Sequence, residues 1–281
     1  MTSSGEDDAV VSSVMPVGVL EVGGVPLAFE QHGAADAPSF VWLHGLTSGR
    51  AHEDRTRLFD WTAIEGVRLT RYDARGHGSS GGTDDDATYR WDQLALDLFA
   101  VLDALGIEQT VLGGASMGAA TTLHAVLLDP ARFSKLVLVI PPTAWSTRAA
   151  QADIYRAGAD LVEQSGTEAL AGLIRIRPPF ATFGPRAEEL LETSAQAIEA
   201  LDPALLPHVM RGAASSDLPP LDSLSTIQQP ALILAWQGDP GHPVETASTL
   251  ADTLPNTTLH LASSLAEIET WPARIQQFLV P

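Results

Sequence analysis

Cysteine is absent from all 281 residues. Disulfides and thiolate-ligated metals are therefore excluded, and cysteine usage says nothing about redox compartment. Basic residues are scarce: 16 Lys and Arg stand against 35 Asp and Glu, for a formal net charge of -19. A surface this acidic repels phosphate backbones and anionic lipid, which argues against nucleic-acid and membrane partners and favours plain solubility. No uncharged apolar run is long enough to span a bilayer. The start, Met1 to Asp8, is polar and acidic and lacks the basic-then-apolar order of a signal peptide, so a cytoplasmic location is expected. An H-E-x-x-H pair is also missing: His52-Glu53 has no second histidine four residues on, and no metal site or cofactor is expected. An acidic surface remains compatible with a homodimer formed through a hydrophobic patch.

What is present is an α/β alternation. Hydrophobic residues make up 45%, ample for one large domain. After a loose tail over residues 1–15, Val17–Val22 and Val25–Gln31 flank Gly23-Gly24, a hairpin signal. Continuous apolar runs at Ser39–Leu43, Val67–Tyr72, Gln109–Gly113, Lys135–Ile140 and Ala231–Trp236 read as strands buried on both faces, and Thr257–Ala262 as a last strand. Between them, Trp91–Leu105 repeats leucine and valine at steps of three and four, the spacing of one helical face. Met117–Leu128 is helical until Asp129-Pro130 stops it. Strands alternating with helices predict a mostly parallel sheet flanked by helices. The alternation breaks from Thr143 to Ser225, where the pattern is helical with Pro and Gly interruptions. This predicts a helical cap over residues 143–225, inserted after the strand Lys135–Ile140 into a core of residues 16–142 and 226–281. Pro178–Pro185 reads as a loop inside it.

The chemistry concentrates at Gly114-Ala115-Ser116-Met117-Gly118, a G-x-S-x-G between a strand and a helix. That context places a serine on a sharp turn with its hydroxyl out of the sheet, and glycine on either side avoids collision as strand and helix close together. With His44-Gly45 after one strand, Asp73-x-Arg75-Gly76-His77-Gly78-Ser79 after the next, and Gly238-Asp239-x-x-x-Pro243 after a later one, the chain resembles the α/β-hydrolase superfamily from about Val17 to Leu279. The resemblance implies that fold, Ser116 as nucleophile, the backbone N–H groups of Leu46 and Met117 as oxyanion donors, and Asp239 as the acid that orients a histidine.

The histidine itself departs from the pattern. In such chains it lies after the last strand, but Ala262–Pro272 contains none, and Leu265 falls about where it should be. Eight histidines remain. His44 and His77 belong to the loop motifs; His32 and His52 read as exposed; His124 lies at the wrong end of its helix, and His260 points across a sheet face. His208 overhangs from the cap. His242, three residues after Asp239 at the same sheet edge, is the best placed to take the serine proton, although a pocket-lining turn histidine has the same signature. Trp145, Phe180, Phe183 and Met210 are candidate pocket linings, and equally ordinary cap core. The expected function is a serine hydrolase acting on an ester, lactone or similar small acyl substrate through an acyl-Ser116 intermediate. A ligand-binding or inactive relative with an incomplete triad is the alternative.

Overall fold

Eight strands form one sheet in the order β1-β2-β4-β3-β5-β6-β7-β8. They are β1 (Val17–Val22), β2 (Val25–His32), β3 (Ser39–Leu43), β4 (Arg68–Tyr72), β5 (Thr110–Ala115), β6 (Phe133–Val139), β7 (Ala231–Trp236) and β8 (Thr257–Ala262). The computed structural model describes residues 17–279, and the tail expected over residues 1–15 lies outside them. β1 and β2 pair antiparallel through the Gly23-Gly24 turn, and β2 runs antiparallel to β4; every other neighbour pair is parallel.

The helices are α1 (Arg50–Thr56), α2 (Trp91–Ala104), α3 (Met117–Leu128), α4 (Arg148–Ser165), α5 (Thr167–Arg175), α6 (Ala187–Glu199), α7 (Leu206–Ala214), α8 (Leu221–Leu224), α9 (Val244–Thr253), α10 (Leu265–Ile268) and α11 (Trp271–Leu279). None of them is long and apolar enough to cross a membrane. Alternate residues of the central strands go to opposite faces, as the two-residue strand period requires. Val41, Leu112 and Leu136 join the layer that includes α2, α3 and α9, whereas Phe40, Val111 and Val137 join the layer that includes α11. A third apolar cluster lies among α4, α5, α6 and α7, which all fall between β6 and β7 in the chain. The break in alternation after β6 is therefore a run of helices with its own small core.

The expected strands and helices are present, with β5 running two residues past its expected end at Gly113. The last helix starts at Trp271, with Pro272 in its first turn, where proline costs no hydrogen bond. Two segments differ from expectation. Pro178–Pro185 is not all loop: Ala181–Arg186 forms tight 3-10 turns kinked at Gly184 (φ 49°). The polar stretch around His52, a residue that reads as exposed, forms α1, too short for a periodic signal. Within it His52 is half-buried, and Glu53 turns fully inward.

Glu53 ties α1 to the sheet. Trp42 Nε1 of β3 donates to Glu53 Oε1 at 2.9 Å, while Oε2 has no hydrogen-bond partner among the described residues and lies 3.8 Å from Arg71 Nη1. Burial outweighs these two neighbours and pushes the carboxyl up from 4.5 to about 7. Between those pH values the folded state holds a proton that the unfolded chain has lost, so stability falls as pH rises through the window. Glu53→Gln keeps the acceptor for Trp42 and removes the titration. From pH 5 to pH 8 the wild type is expected to lose about 3 kcal/mol more than the variant, measured by urea unfolding at both values.

Candidate active site

Ser116 sits between β5 and α3 with φ 53° and ψ -110°, a conformation that costs an L-residue energy. The surrounding packing imposes it. A Cβ on Gly118 would lie 2.2 Å from the Leu43 carbonyl oxygen, and one on Gly114 would lie 2.4 Å from the Gly118 carbonyl carbon. Only glycine lets α3 start this close to β3 and β5. The Ser116 backbone is held at both ends: its N–H donates to Val139 O at 2.9 Å, and its carbonyl accepts from Ala120 N at 3.0 Å. Strain recurs along this edge of the sheet. Thr47 (φ 57°), four residues past β3, and Ile140 (φ 41°), directly after β6, are also left-handed non-glycine residues.

The Ser116 hydroxyl lies 2.8 Å from His242 Nε2, and His242 Nδ1 lies 2.7 Å from Asp239 Oδ2. The local reason is a tight turn. In Asp239-Pro240-Gly241-His242 the His242 amide donates to the Asp239 carbonyl at 3.1 Å, and the Gly241 amide donates to Asp239 Oδ1 at 2.9 Å. Proline at the second position presets the turn, and an aspartate at the first caps it with its own side chain. Turn formation thus brings positions one and four together and sets the imidazole against the carboxylate. The turn at Asp239 and its contact with His242 are one and the same geometry. Thr143 N donates to Gly241 O at 3.1 Å, which joins the turn to the start of the helical segment.

Asp239 is buried beside this imidazole. Burial pushes its carboxyl up, but the His242 charge and hydrogen bond, the Trp236 indole N–H and the Gly241 amide pull it further down, to about 2. It is a carboxylate at any ordinary pH and accepts the His242 Nδ1 proton, which leaves Nε2 as an acceptor for the serine hydroxyl. Such an arrangement can withdraw the hydroxyl proton during attack on a carbonyl.

The loop after β3 runs alongside. A Cβ on Gly45 would stand 3.5 Å from both Ala115 O and Ser116 Cβ. His44 holds this loop: Nδ1 donates to Gly45 O at 2.8 Å and Nε2 accepts from Ala74 N at 2.8 Å. Asp73 supports it from below, taking Arg50 N at 2.8 Å and Ser79 N at 3.0 Å. Neither the Leu46 nor the Met117 amide has a protein acceptor among the described residues. Both flank the serine turn, Met117 as the first residue of α3.

Four other histidines are engaged elsewhere. His77 donates from Nδ1 to Arg75 O at 2.9 Å, and burial holds it neutral with a pKa of about 3. His124 Nε2 meets Asp217 O at 2.9 Å, His208 pairs with Asp86 at 2.6 Å, and His260 lies against Arg274. Of the candidate linings, Phe183 packs edge-on against Trp236 at 5.0 Å, with Phe180 6.0 Å further on; this side is fixed by Thr182 Oγ1 donating to Gln237 O at 2.7 Å. Met210 belongs to the core of the helical segment, where its Cε would meet a Cβ on Gly158 at 2.3 Å. The Trp145 indole donates to Pro219 O at 3.1 Å, where the segment crosses back toward β7. Trp236 was not anticipated as a site residue: at the end of an apolar strand it reads as core, and only its indole N–H to Asp239 Oδ2, at 3.2 Å, marks it otherwise.

Comparison with known proteins agrees with this architecture. The alpha/beta hydrolase fold family matches residues 38–162. The RutD protein of Pseudomonas syringae, whose name provisionally assigns it carbamate hydrolysis, is 31% identical over 81% of this chain and 85% of its own length. 3-Oxoadipate enol-lactonase 2 of Acinetobacter baylyi is 29% identical over 87% of this chain and 88% of its own. Among solved structures, the enol-lactonase from Burkholderia xenovorans superposes with a TM-score of 0.78 at 22% identity, covering 93% of this chain and 98% of that one. The chain belongs to the α/β-hydrolase family. It is a hydrolase.

The close approach at Gly118 is testable apart from activity. Gly118→Ala must displace α3 from the Leu43 carbonyl, and is expected to cost about 3 kcal/mol of stability in denaturant unfolding. Gly172→Ala, where a Cβ would meet open space, is expected to be neutral or stabilising.

Proposed function

We propose that this chain is a serine hydrolase of small carboxylic esters or lactones, working through an acyl-Ser116 intermediate. The observation that carries the reading is the continuous set of hydrogen bonds from Ser116 Oγ through His242 to Asp239, at 2.8 and 2.7 Å. In this reading Ser116 Oγ attacks the substrate carbonyl carbon while His242 Nε2 takes the hydroxyl proton. The tetrahedral oxyanion rests on the backbone N–H groups of Leu46 and Met117. Collapse breaks the bond to the leaving oxygen, which receives the proton from His242; in a lactone that oxygen stays tethered to the acyl group. Water, deprotonated by the same imidazole, then attacks the acyl-enzyme and returns Ser116 and the free acid. Asp239, ionised throughout, holds the imidazole tautomer and offsets the imidazolium charge.

The helical segment 143–225 serves in this reading as a cap. Phe180 and Phe183 give the pocket an apolar wall beside the catalytic turn, while Met210 and Trp145 hold the cap together and to the core. An enol-lactonase among the relatives makes enol-lactones the natural first substrates to assay.

A fluorophosphonate probe tests the mechanism without knowledge of the substrate. Wild type is expected to be labelled on Ser116, and Ser116→Ala to be unlabelled. His242→Ala is expected to lower the labelling rate and ester hydrolysis by about a thousandfold or more. Undiminished labelling of His242→Ala would remove the imidazole from the mechanism. No labelling of folded wild type, together with no lactone or ester turnover, would favour a binding protein.

A further inference from the structure

We propose that Trp236 is a positioning residue for the acid–base pair: its indole N–H fixes the Asp239 carboxylate oxygen that accepts the His242 Nδ1 hydrogen bond. The inference rests on the reading of Ser116, His242 and Asp239 as the catalytic groups. Its basis is that both members of the pair ride on one four-residue turn. A base carried on a separate loop would be anchored independently of its acid. Here, when the Asp239–His242 turn shifts, both side chains shift together, and something outside the turn must hold them in register with Ser116.

Trp236 is built for that. It is the last residue of β7, on the rigid part of the sheet, and is buried. Its ring is held on three sides. It stacks flat on Trp271 at 5.7 Å with 3° between planes, meets Phe183 edge-on at 5.0 Å, and meets the His242 ring at 6.4 Å and 85°. Nε1 donates at 3.2 Å to Asp239 Oδ2, the same oxygen that lies 2.7 Å from His242 Nδ1. Among the described residues no other side chain outside the turn hydrogen-bonds to Asp239. The indole therefore links the sheet directly to the turn, orienting one residue by hydrogen bond and the other by ring contact. The shared oxygen has an electrostatic consequence. A donor on Oδ2 spreads part of the carboxylate charge, so its removal leaves a more basic Asp239 that holds the imidazolium more tightly. Tyr155 of α4 also lies in the field of Asp239, but burial pushes its phenol up and keeps it neutral.

The test replaces the N–H while keeping the ring. In Trp236→Phe, and in a protein carrying 3-benzothienylalanine at position 236, sulfur or nothing stands where the donor was. Both are expected to keep the wild-type circular dichroism and to be labelled to completion on Ser116 by excess fluorophosphonate. Both are expected to lose about tenfold in kcat with KM within about twofold, as the loss of a hydrogen bond to a charged group would give. The acid limb of kcat/KM against pH is expected to move to higher pH by about half a unit. If the benzothienylalanine protein keeps the wild-type kcat and acid limb, the indole N–H has no positioning role, whatever Trp236→Phe does, since the phenylalanine also changes the stack on Trp271. If His242→Ala is labelled as fast as wild type, the underlying acid–base reading fails first and the role of Trp236 falls with it.

Discussion

The start of α3 lies so close to β3 that one hydrogen on Gly118 is all that fits beside the Leu43 carbonyl oxygen. The site is a consequence of that approach. With the helix driven down onto the sheet, Ser116 has no relaxed conformation left, and its side chain is turned outward above the C-terminal ends of the strands. The unfavourable backbone angles there are maintained by two hydrogen bonds and by the packed core beneath, since Met117, Ala119 and Ala120 are all buried in the main apolar layer. The same edge collects the ends of β3, β5, β6 and β7, so the loops that follow them meet at one place. Parallel strands bring their C-termini to a common rim, the place where open α/β sheets bind ligands.

Most of this was open to reading along the chain because it depends on short-range features. Gly114, Ser116 and Gly118 announce the turn, and long apolar runs announce central strands. What could not be read depends on distant partners. α1 is seven residues long, and its inward Glu53 is explained only by Trp42 and Arg71, neighbours in space on β3 and β4. The aromatic side chains of the helical segment show the same limit. Phe183 and Met210 look alike in sequence, yet one packs against Trp236 and the other against Gly158 inside the helical core. Trp236 looks like one more apolar residue until its indole nitrogen is seen facing Asp239.

The histidine shows why position in a motif and position in space can part company. Leu265 occupies the place after β8 where resemblance would put a base, and it lies at the start of α10. His242 reaches the serine from the next strand over. Asp-Pro-Gly-His is an ordinary turn sequence, and the physical content of the turn is that its first and fourth residues come together. Local chain geometry therefore brings a carboxylate and an imidazole together, and the sheet presents the turn at the correct edge and reaches it through the Trp236 indole.

That locality changes how the pair can be inherited. In the proposed mechanism acid and base lie within four consecutive residues, so a single small stretch of gene would carry both, and they could be gained, lost or moved as one unit. In the same reading the chain after β8 has no share in proton transfer and contributes through packing. Within that stretch Trp271 stacks on Trp236, so in that reading drift is open to the loop before it and closed at the stack.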